Sequence, residues 1–232
     1  MTGLVRKATL FAVCGLLAAS AAMASVPSAS NSDKPSCIMV VGSSGGVVDT
    51  YGDFTVVVRD LANLPINNSL VVVDFSACHG LDICQTQPGF TVTGPTTYTV
   101  RGFTDVTGTI VMRVAGHSNN GPDGDITAAG VGCCHIYADG VDLLPAGISV
   151  STVDHDGNGV GPADLTCWLG DNFGIHHGGT PQNPPSSDYD CSGDVGPADL
   201  SIWLDVNFGV AHSSIPGSDQ NCPAVDTEYL VP

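Results

Sequence analysis

The sequence predicts a mainly β protein, in which an antiparallel β-sandwich is followed by a small α-helical module with two acidic loop–helix repeats. Short β-branched segments separated by Gly, Pro, Asn and Asp occupy residues 37–152, which is typical of a sandwich. Residues 153–210 contain a duplicated acidic motif, and each copy leads into a short segment with apolar residues at helical spacing. Residues 211–232 are predicted to be a C-terminal tail.

Residues 1–24 have the pattern of a secretory signal peptide. Arg6 and Lys7 form a basic start, residues 8–22 are apolar, and Ala22-Met23-Ala24 provides a cleavage site between small residues. The apolar stretch is short for a bilayer span, and no later segment has the pattern of a membrane-spanning helix. The sequence therefore predicts a protein that is secreted or held at the extracellular surface.

A polar linker is predicted over residues 25–36, and the first strand follows it. The clearest strands lie at residues 54–60 and 70–76, where runs of Val give high β-propensity. Strands are predicted at residues 38–41, 47–51, 54–60, 70–76, 90–93, 97–103, 109–114, 132–138 and 147–153.

Three segments of this region match the sequence pattern of a known class of β domain. They are FTVVVRDLANLPINNSLVVVDFS at residues 54–76, DVTGTIVMRVAG at 105–116 and HIYADGVDL at 135–143. Over residues 37–152 the chain resembles the bacterial immunoglobulin-like domains of the invasin and intimin class. The resemblance implies an immunoglobulin-like sandwich that serves as a spacer or an adhesive module.

The chain has no recognisable catalytic motif. No HExxH zinc motif occurs in it, and its Ser, His and Asp residues show no catalytic arrangement. We therefore predict that the protein is not an enzyme.

Charge excludes two classes of partner. The formal net charge is −17, with 6 Lys plus Arg against 23 Asp plus Glu. So few bases cannot neutralise a phosphate backbone or an anionic lipid surface, and we expect neither nucleic acid nor a membrane as a partner. No Lys or Arg occurs from residue 152 to residue 232, so the acidity is concentrated in the repeat region.

The duplicated motif has two copies. The first spans residues 154–174 (DHDGNGVGPADLTCWLGDNFG), and the second spans residues 188–209 (DYDCSGDVGPADLSIWLDVNFG). VGPADL, Trp, Leu, Asn, Phe and Gly recur at a constant offset of 35, whereas the acidic residues before them recur at an offset of 34. The first copy is therefore one residue short in its loop.

Alternating acidic residues before a helix are typical of calcium loops, since calcium needs six to eight oxygen ligands from a flexible stretch. In the second loop the side chains of Asp188, Asp190, Ser192 and Asp199 and the carbonyl of Asp194 are the predicted ligands. In the first loop the corresponding ligands are the side chains of Asp154, Asp156, Asn158 and Asp164 and the carbonyl of Val160. Two calcium ions are predicted, and the short first loop leaves its geometry open.

The helices are predicted to begin at Pro162 and Pro197. Proline lacks a backbone N–H, and the N–H groups of the first helical turn have no partner within the helix, so no hydrogen bond is lost there. Leu165, Trp168, Leu169 and Phe173 form one apolar face, and the second copy repeats it. Since helices of about ten residues are too short to be stable alone, we expect the two apolar faces to bury each other.

The paired acidic loops and helices resemble a type I dockerin, a module that docks enzymes onto the cohesins of a scaffold. The resemblance covers residues 154–209 and implies a calcium-dependent fold and a protein partner of the cohesin kind. The family's recognition positions fall on Pro162 and Ala163 in the first repeat and on Pro197 and Ala198 in the second. The family's Lys-Arg pair is replaced by Leu204 and Asp205, which argues against a cellulosomal cohesin.

Eight cysteines follow the signal peptide, and an even number in an exported chain predicts disulfides. Cys78 and Cys84 flank a short loop and are expected to pair, and Cys37 is expected to pair with Cys133 or Cys134. Cys191 is assigned to Cys167, with Cys222 as the alternative. A zinc site is the competing interpretation, and the absence of a CxxC motif disfavours it.

The sequence thus predicts a secreted, non-catalytic calcium-binding protein. Its dockerin-like module would attach it to a protein partner, and its immunoglobulin-like module would be a spacer or an adhesive. Two alternatives stay open: a carbohydrate-binding component of an extracellular polysaccharide-degrading system, and a calcium-dependent structural subunit that self-assembles at a cell surface.

Overall fold

The computed structural model describes residues 25–41, 43–44, 47–48, 50–78, 81–84, 87, 89–93, 99–118, 132–155, 160–173 and 187–208. The predicted signal peptide and C-terminal tail lie outside these residues. The protein is mainly β, as the sequence predicts. Within the described ranges, neither of the two α-helices has the length and apolarity that crossing a bilayer requires.

The strands are short, and two helices follow them. The strands are β1 (Cys37–Val40), β2 (Ser43–Ser44), β3 (Val47–Val48), β4 (Phe54–Val57), β5 (Leu70–Asp74), β6 (Leu81–Ile83), β7 (Thr91–Thr93), β8 (Thr99–Phe103), β9 (Thr109–Met112), β10 (Gly116–Ser118), β11 (His135–Ala138), β12 (Val141–Asp142) and β13 (Ser149–Thr152). A 3₁₀ turn (Thr50–Gly52) lies between β3 and β4, and the two α-helices are α1 (Pro162–Asn172) and α2 (Pro197–Phe208).

The largest sheet has five antiparallel strands in the order β12-β11-β5-β8-β7. β4 pairs with β9, β6 with β10 and β2 with β3, all antiparallel. The prediction of antiparallel pairing is wrong for β1, which pairs with β13 in parallel, with Cys37 opposite Ser149. The physical reason is the long stretch of chain between the two strands, because only a tight turn requires its strands to be antiparallel.

Alternating side chains build the core of the β domain. Along β5, Val71 and Val73 are buried while their neighbours are partly exposed, and Val100 on β8 lies opposite Val73. The turn between β11 and β12 is Asp139-Gly140, with φ of 46° and 83°. Positive φ at both residues is the mark of a type I′ hairpin, which the Asp-Gly sequence favours.

β1 is buried on both of its faces. Ile38 and Val40 belong to the core of the β domain, whereas Met39 belongs to a second apolar cluster on the other side of the strand. We call this cluster the shared core, because residues of both modules form it. Its buried members are Met39, Val41, Cys84, Ala115, Val153, Trp168, Tyr189 and Trp203.

The helices pack on the β domain through the shared core. Trp168 of α1 is 6% exposed and Trp203 of α2 is 2% exposed, and both contribute to it. The apolar faces of the two helices therefore share one cluster, and residues of the β domain complete it. Leu169 and Leu204 are about two-fifths exposed, and Phe173 is 69% exposed. The two tryptophans share their cluster with Met39 of β1.

The predicted linker, residues 25–36, is instead part of the β domain. Pro27 bridges to Asp60, and Asp33 exchanges two backbone hydrogen bonds of 2.9 Å with Val57. Ser32 is buried, and its hydroxyl accepts a hydrogen bond from the N–H of Arg59 at 3.0 Å. The polar residues of this segment therefore form hydrogen bonds with the edge of the β domain, and the segment is not a free linker.

The predicted disulfide pairings are wrong. Cys78 is bonded to Cys133, and Cys37 is bonded to Cys191. Cys78 cannot reach Cys84 because strand β6 separates them, and because one lies in the β core while the other lies in the shared core. Cys84 is itself disulfide-bonded. Cys134 and Cys167 are buried thiols, which excludes the predicted pair of Cys167 with Cys191.

Replacing Trp203 by Ala tests the shared core. Since the indole fills the contact between α2 and the β domain, we expect a loss of about 3–5 kcal/mol in the free energy of unfolding. Urea titration followed by the fluorescence of the remaining Trp168 measures it. The neighbouring substitution Leu204→Ala, at a side chain 41% exposed, is the control and should cost less than about 1 kcal/mol. Equal losses in the two variants would contradict the packing described.

Candidate metal centre

The second acidic loop, residues 188–199, brings three carboxylates together. Asp188 and Asp190 lie in the loop, and Asp199 lies in the first turn of α2. One oxygen from each of the three lies within 4.8 Å of the other two. This arrangement of hard oxygen ligands can hold a metal ion.

Two of these carboxylates are removed from water. Asp188 is 3% exposed and Asp199 is 1% exposed, whereas Asp190 is exposed. Desolvation raises the pKa of Asp188 to about 6; N–H bonds from Gly193 and Ser192 oppose this, and the charges of Asp199 and Asp190 add to it. A bound cation would offset both the desolvation of the Asp188 carboxylate and the repulsion among the three carboxylates.

Backbone N–H groups hold the two buried carboxylates. Asp199 Oδ1 accepts from the N–H of Tyr189 at 2.7 Å and that of Asp190 at 3.1 Å, and its Oδ2 accepts from Gly196 at 2.8 Å. Asp188 accepts from the N–H of Ser192 at 3.0 Å and that of Gly193 at 2.9 Å. The loop is thus wound around its own carboxylates, so their positions are set before any ligand arrives.

The other two predicted ligands of this loop lie next to each other. The Ser192 hydroxyl donates to Oδ1 of Asp194 at 2.8 Å and lies 3.3 Å from the carbonyl oxygen of the same residue. Both residues are exposed. The Ser192 N–H also donates to Asp190 Oδ1 at 2.9 Å, which ties this pair to the three-carboxylate group.

The first loop repeats the arrangement around its helix. Asp164, at the start of α1, accepts from the N–H of His155 at 2.7 Å and from that of Gly161 at 2.7 Å. These are the bonds that Asp199 makes with Tyr189 and Gly196, so the one-residue gap leaves this part of the geometry unchanged. Asp154 and Asp164 are both fully buried.

Of the remaining predicted ligands of the first loop, only Val160 belongs to the described residues. Asp156 and Asn158 lie outside the described residues. Val160 is partly buried and packs against the shared core. Among the described residues, the three-carboxylate group is therefore seen in the second loop alone.

A polar contact joins the two loops, and sequence reasoning missed it. Nε2 of His155 lies 3.2 Å from the hydroxyl of Tyr189, and the Ser187 hydroxyl lies 3.4 Å from the same nitrogen. Burial raises the pKa of Tyr189 well above its usual value, so the phenol stays protonated. The signal was present in the repeat, because His155 and Tyr189 occupy the same position in the two copies.

The residues predicted to bind a partner are open to solvent. Pro162, Ala163, Pro197 and Ala198 are all exposed, in the first turns of α1 and α2. The buried sides of these helices carry the two tryptophans, so the recognition positions face away from the β domain.

No protein-family model, no curated protein and no solved structure matches this chain.

Replacing Asp199 by Ala tests the structural role of the carboxylate. The change leaves three backbone N–H groups without their charged acceptor, and we expect a loss of about 2–3 kcal/mol in stability even in the presence of a chelator. Chemical denaturation monitored by circular dichroism measures it. Asp194→Ala, at an exposed side chain, is the control and should change stability by less than about 0.5 kcal/mol. A tolerated Asp199→Ala would refute the role.

Proposed function

We propose that this protein is a secreted, non-catalytic calcium-binding protein that attaches to a protein partner through its helical module. The β domain, which we interpret as an immunoglobulin-like sandwich, would be a spacer or an adhesive. The helical module would be dockerin-like, with two calcium ions. The disulfides Cys37–Cys191 and Cys78–Cys133, together with the disulfide-bonded Cys84, fit an oxidising compartment.

One observation carries the calcium proposal: a group of three aspartates at the start of a helix, in a loop that the chain duplicates. Its ligand atoms are all oxygens, without a His or Cys among the three, which favours a hard cation over zinc. Calcium accepts six to eight oxygens in a flexible arrangement, and the loop offers further oxygens at Ser192 and Asp194. Magnesium demands an octahedral site and keeps its waters, which suits a chain-wrapped loop less well.

The second ion is proposed from the equivalence of the two loops. Asp164 is held by the same two backbone positions as Asp199, and Asp154 is buried like Asp188. The contact between His155 and Tyr189 joins the loops directly. Binding in one loop would therefore help to order the other.

Attachment is proposed from two matching exposed stripes. On α1 the exposed residues are Pro162, Ala163, Thr166 and Leu169, and exposed Phe173 directly follows the helix. On α2 the described exposed residues are Pro197, Ala198, Ser201 and Leu204, at the same helical positions as the first four. Both stripes are small or apolar residues with one hydroxyl each, and their helices lack Lys and Arg. Such a surface suits a protein partner with an apolar, neutral or basic face.

Calcium should stabilise the protein strongly. A ligand that binds the folded state alone adds about 2.7 kcal/mol at a concentration 100-fold above Kd, which corresponds to a rise of about 5–10 °C in Tm for a chain of this size. Calorimetry in excess calcium and in chelator measures the difference, with magnesium as the comparison ion. An unchanged Tm would refute the metal site.

A matched pair of variants locates the site. Asp190→Asn removes a ligand carboxylate and should weaken calcium binding at least tenfold. Asp194→Asn keeps the backbone carbonyl that is the proposed ligand, so affinity should change less than about threefold. Isothermal titration measures both. The assignment fails if the two variants lose affinity equally.

Partner attachment should depend on calcium and on the stripes. We expect the mature protein to capture a component of its producer's extracellular fraction in calcium and to release it in chelator. Leu169→Glu combined with Leu204→Glu should abolish capture, since each places a charge in a stripe. Leu61→Glu, at a leucine 81% exposed on the β domain, is the control and should leave capture intact. Capture that persists in the double variant would contradict the proposed surface.

A further inference from the structure

We propose that the Cys37–Cys191 disulfide and the second acidic loop are thermodynamically coupled, so that oxidation of the disulfide strengthens metal binding and metal binding stabilises the disulfide. The inference rests on the calcium site proposed above and assigns a redox control to it.

The Cys37–Cys191 disulfide is attached to the second acidic loop between two of the proposed metal ligands. Cys191 lies directly between Asp190 and Ser192. The N–H of Ser192 donates to carboxylate oxygens of Asp188 and Asp190, and the next N–H, that of Gly193, donates to Asp188. The peptide groups immediately after Cys191 thus orient two of the three carboxylates.

Cys191 has a backbone conformation that its side chain disfavours. Its φ is +61°, in the left-handed region that residues other than glycine rarely adopt. The same position of the first repeat is Gly157, so the duplicated loop carries a glycine where no disulfide is placed. A cross-link that fixes Cys191 removes alternative conformations in which the following N–H groups turn away from Asp188.

The other end of the disulfide is a rigid anchor. Cys37 is 6% exposed and lies on β1, with its Cα atom 5.6 Å from that of Cys191. β1 is paired with β13 and buried between two cores, so it cannot follow the loop if the loop moves. The disulfide therefore fixes the loop relative to the β domain.

The coupling must be reciprocal. If oxidation raises the affinity for calcium by some factor, calcium must shift the oxidation equilibrium by the same factor, because binding free energies form a closed cycle. The redox partner is a low-molecular-weight thiol such as glutathione. Two of its molecules are oxidised to one glutathione disulfide, and Cys37 and Cys191 each gain one hydrogen.

The first measurement compares calcium affinities by isothermal titration. Relative to the oxidised protein, the variant Cys37→Ser with Cys191→Ser should bind calcium at least fivefold more weakly. The variant Cys78→Ser with Cys133→Ser lacks a disulfide of the β core and is the matched control, with an expected change below twofold. Equal affinity in the oxidised protein and the first variant overturns the coupling but leaves the calcium site standing. No binding by the oxidised protein overturns both.

The second measurement uses the unmodified protein and so does not depend on the folding of any variant. The protein is equilibrated in glutathione buffers with and without saturating calcium, and each cysteine is quantified by alkylation and mass spectrometry. Calcium should shift the Cys37–Cys191 equilibrium toward the disulfide at least fivefold and leave Cys78–Cys133 unchanged. An unchanged Cys37–Cys191 equilibrium, in a protein shown to bind calcium, overturns the proposal.

Discussion

Burial of β1 on both faces is the constraint on which the rest of the structure depends. Ile38 and Val40 point into the core of the β domain, while Met39 points into the shared core that the helices complete. If the helices did not dock, the second face of this strand would be exposed apolar surface. The two short helices would likewise lose the surface that buries Trp168 and Trp203. Each module therefore supplies the apolar surface that the other lacks, and one strand joins their stability.

The acidic loops use their carboxylates for two purposes. Asp164 and Asp199 each gather N–H groups from the start of their loop and from the glycine before their helix, and a carboxylate in the first turn also suits the helix dipole. Burial of these charges is costly without compensation, and the N–H groups supply part of it. Asp188 also accepts two N–H groups, but desolvation and the charges of Asp199 and Asp190 still raise its pKa, so a cation bound at the second loop would offset an unfavourable local charge.

Local patterns in the chain predicted the longer strands and the carboxylates of the second loop. Val71 and Val73 alternate with less buried neighbours, and Asp188, Asp190 and Asp199 have the spacing of a metal loop. The short strands β2, β6, β10 and β12 are not predicted, because two or three residues carry no periodicity. The disulfides were mispaired because sequence spacing does not report which core a cysteine enters. One overlooked signal was the unbroken apolar run at residues 37–41, which is typical of a strand buried on both faces.

The cross-link of β1 to the second loop also determines the order in which the chain can be completed. A ribosome delivers Cys37 long before Cys191, 154 positions later, and Cys78, Cys84, Cys133, Cys134 and Cys167 emerge in between. β13, the parallel partner of β1, likewise arrives only at residues 149–152. The first strand to be synthesised is thus among the last to be finished, and contacts of such long range form slowly. Until β13 and the second loop are synthesised, β1 lacks these final partners, and an exposed apolar strand with a free thiol favours aggregation and premature disulfide pairing during folding.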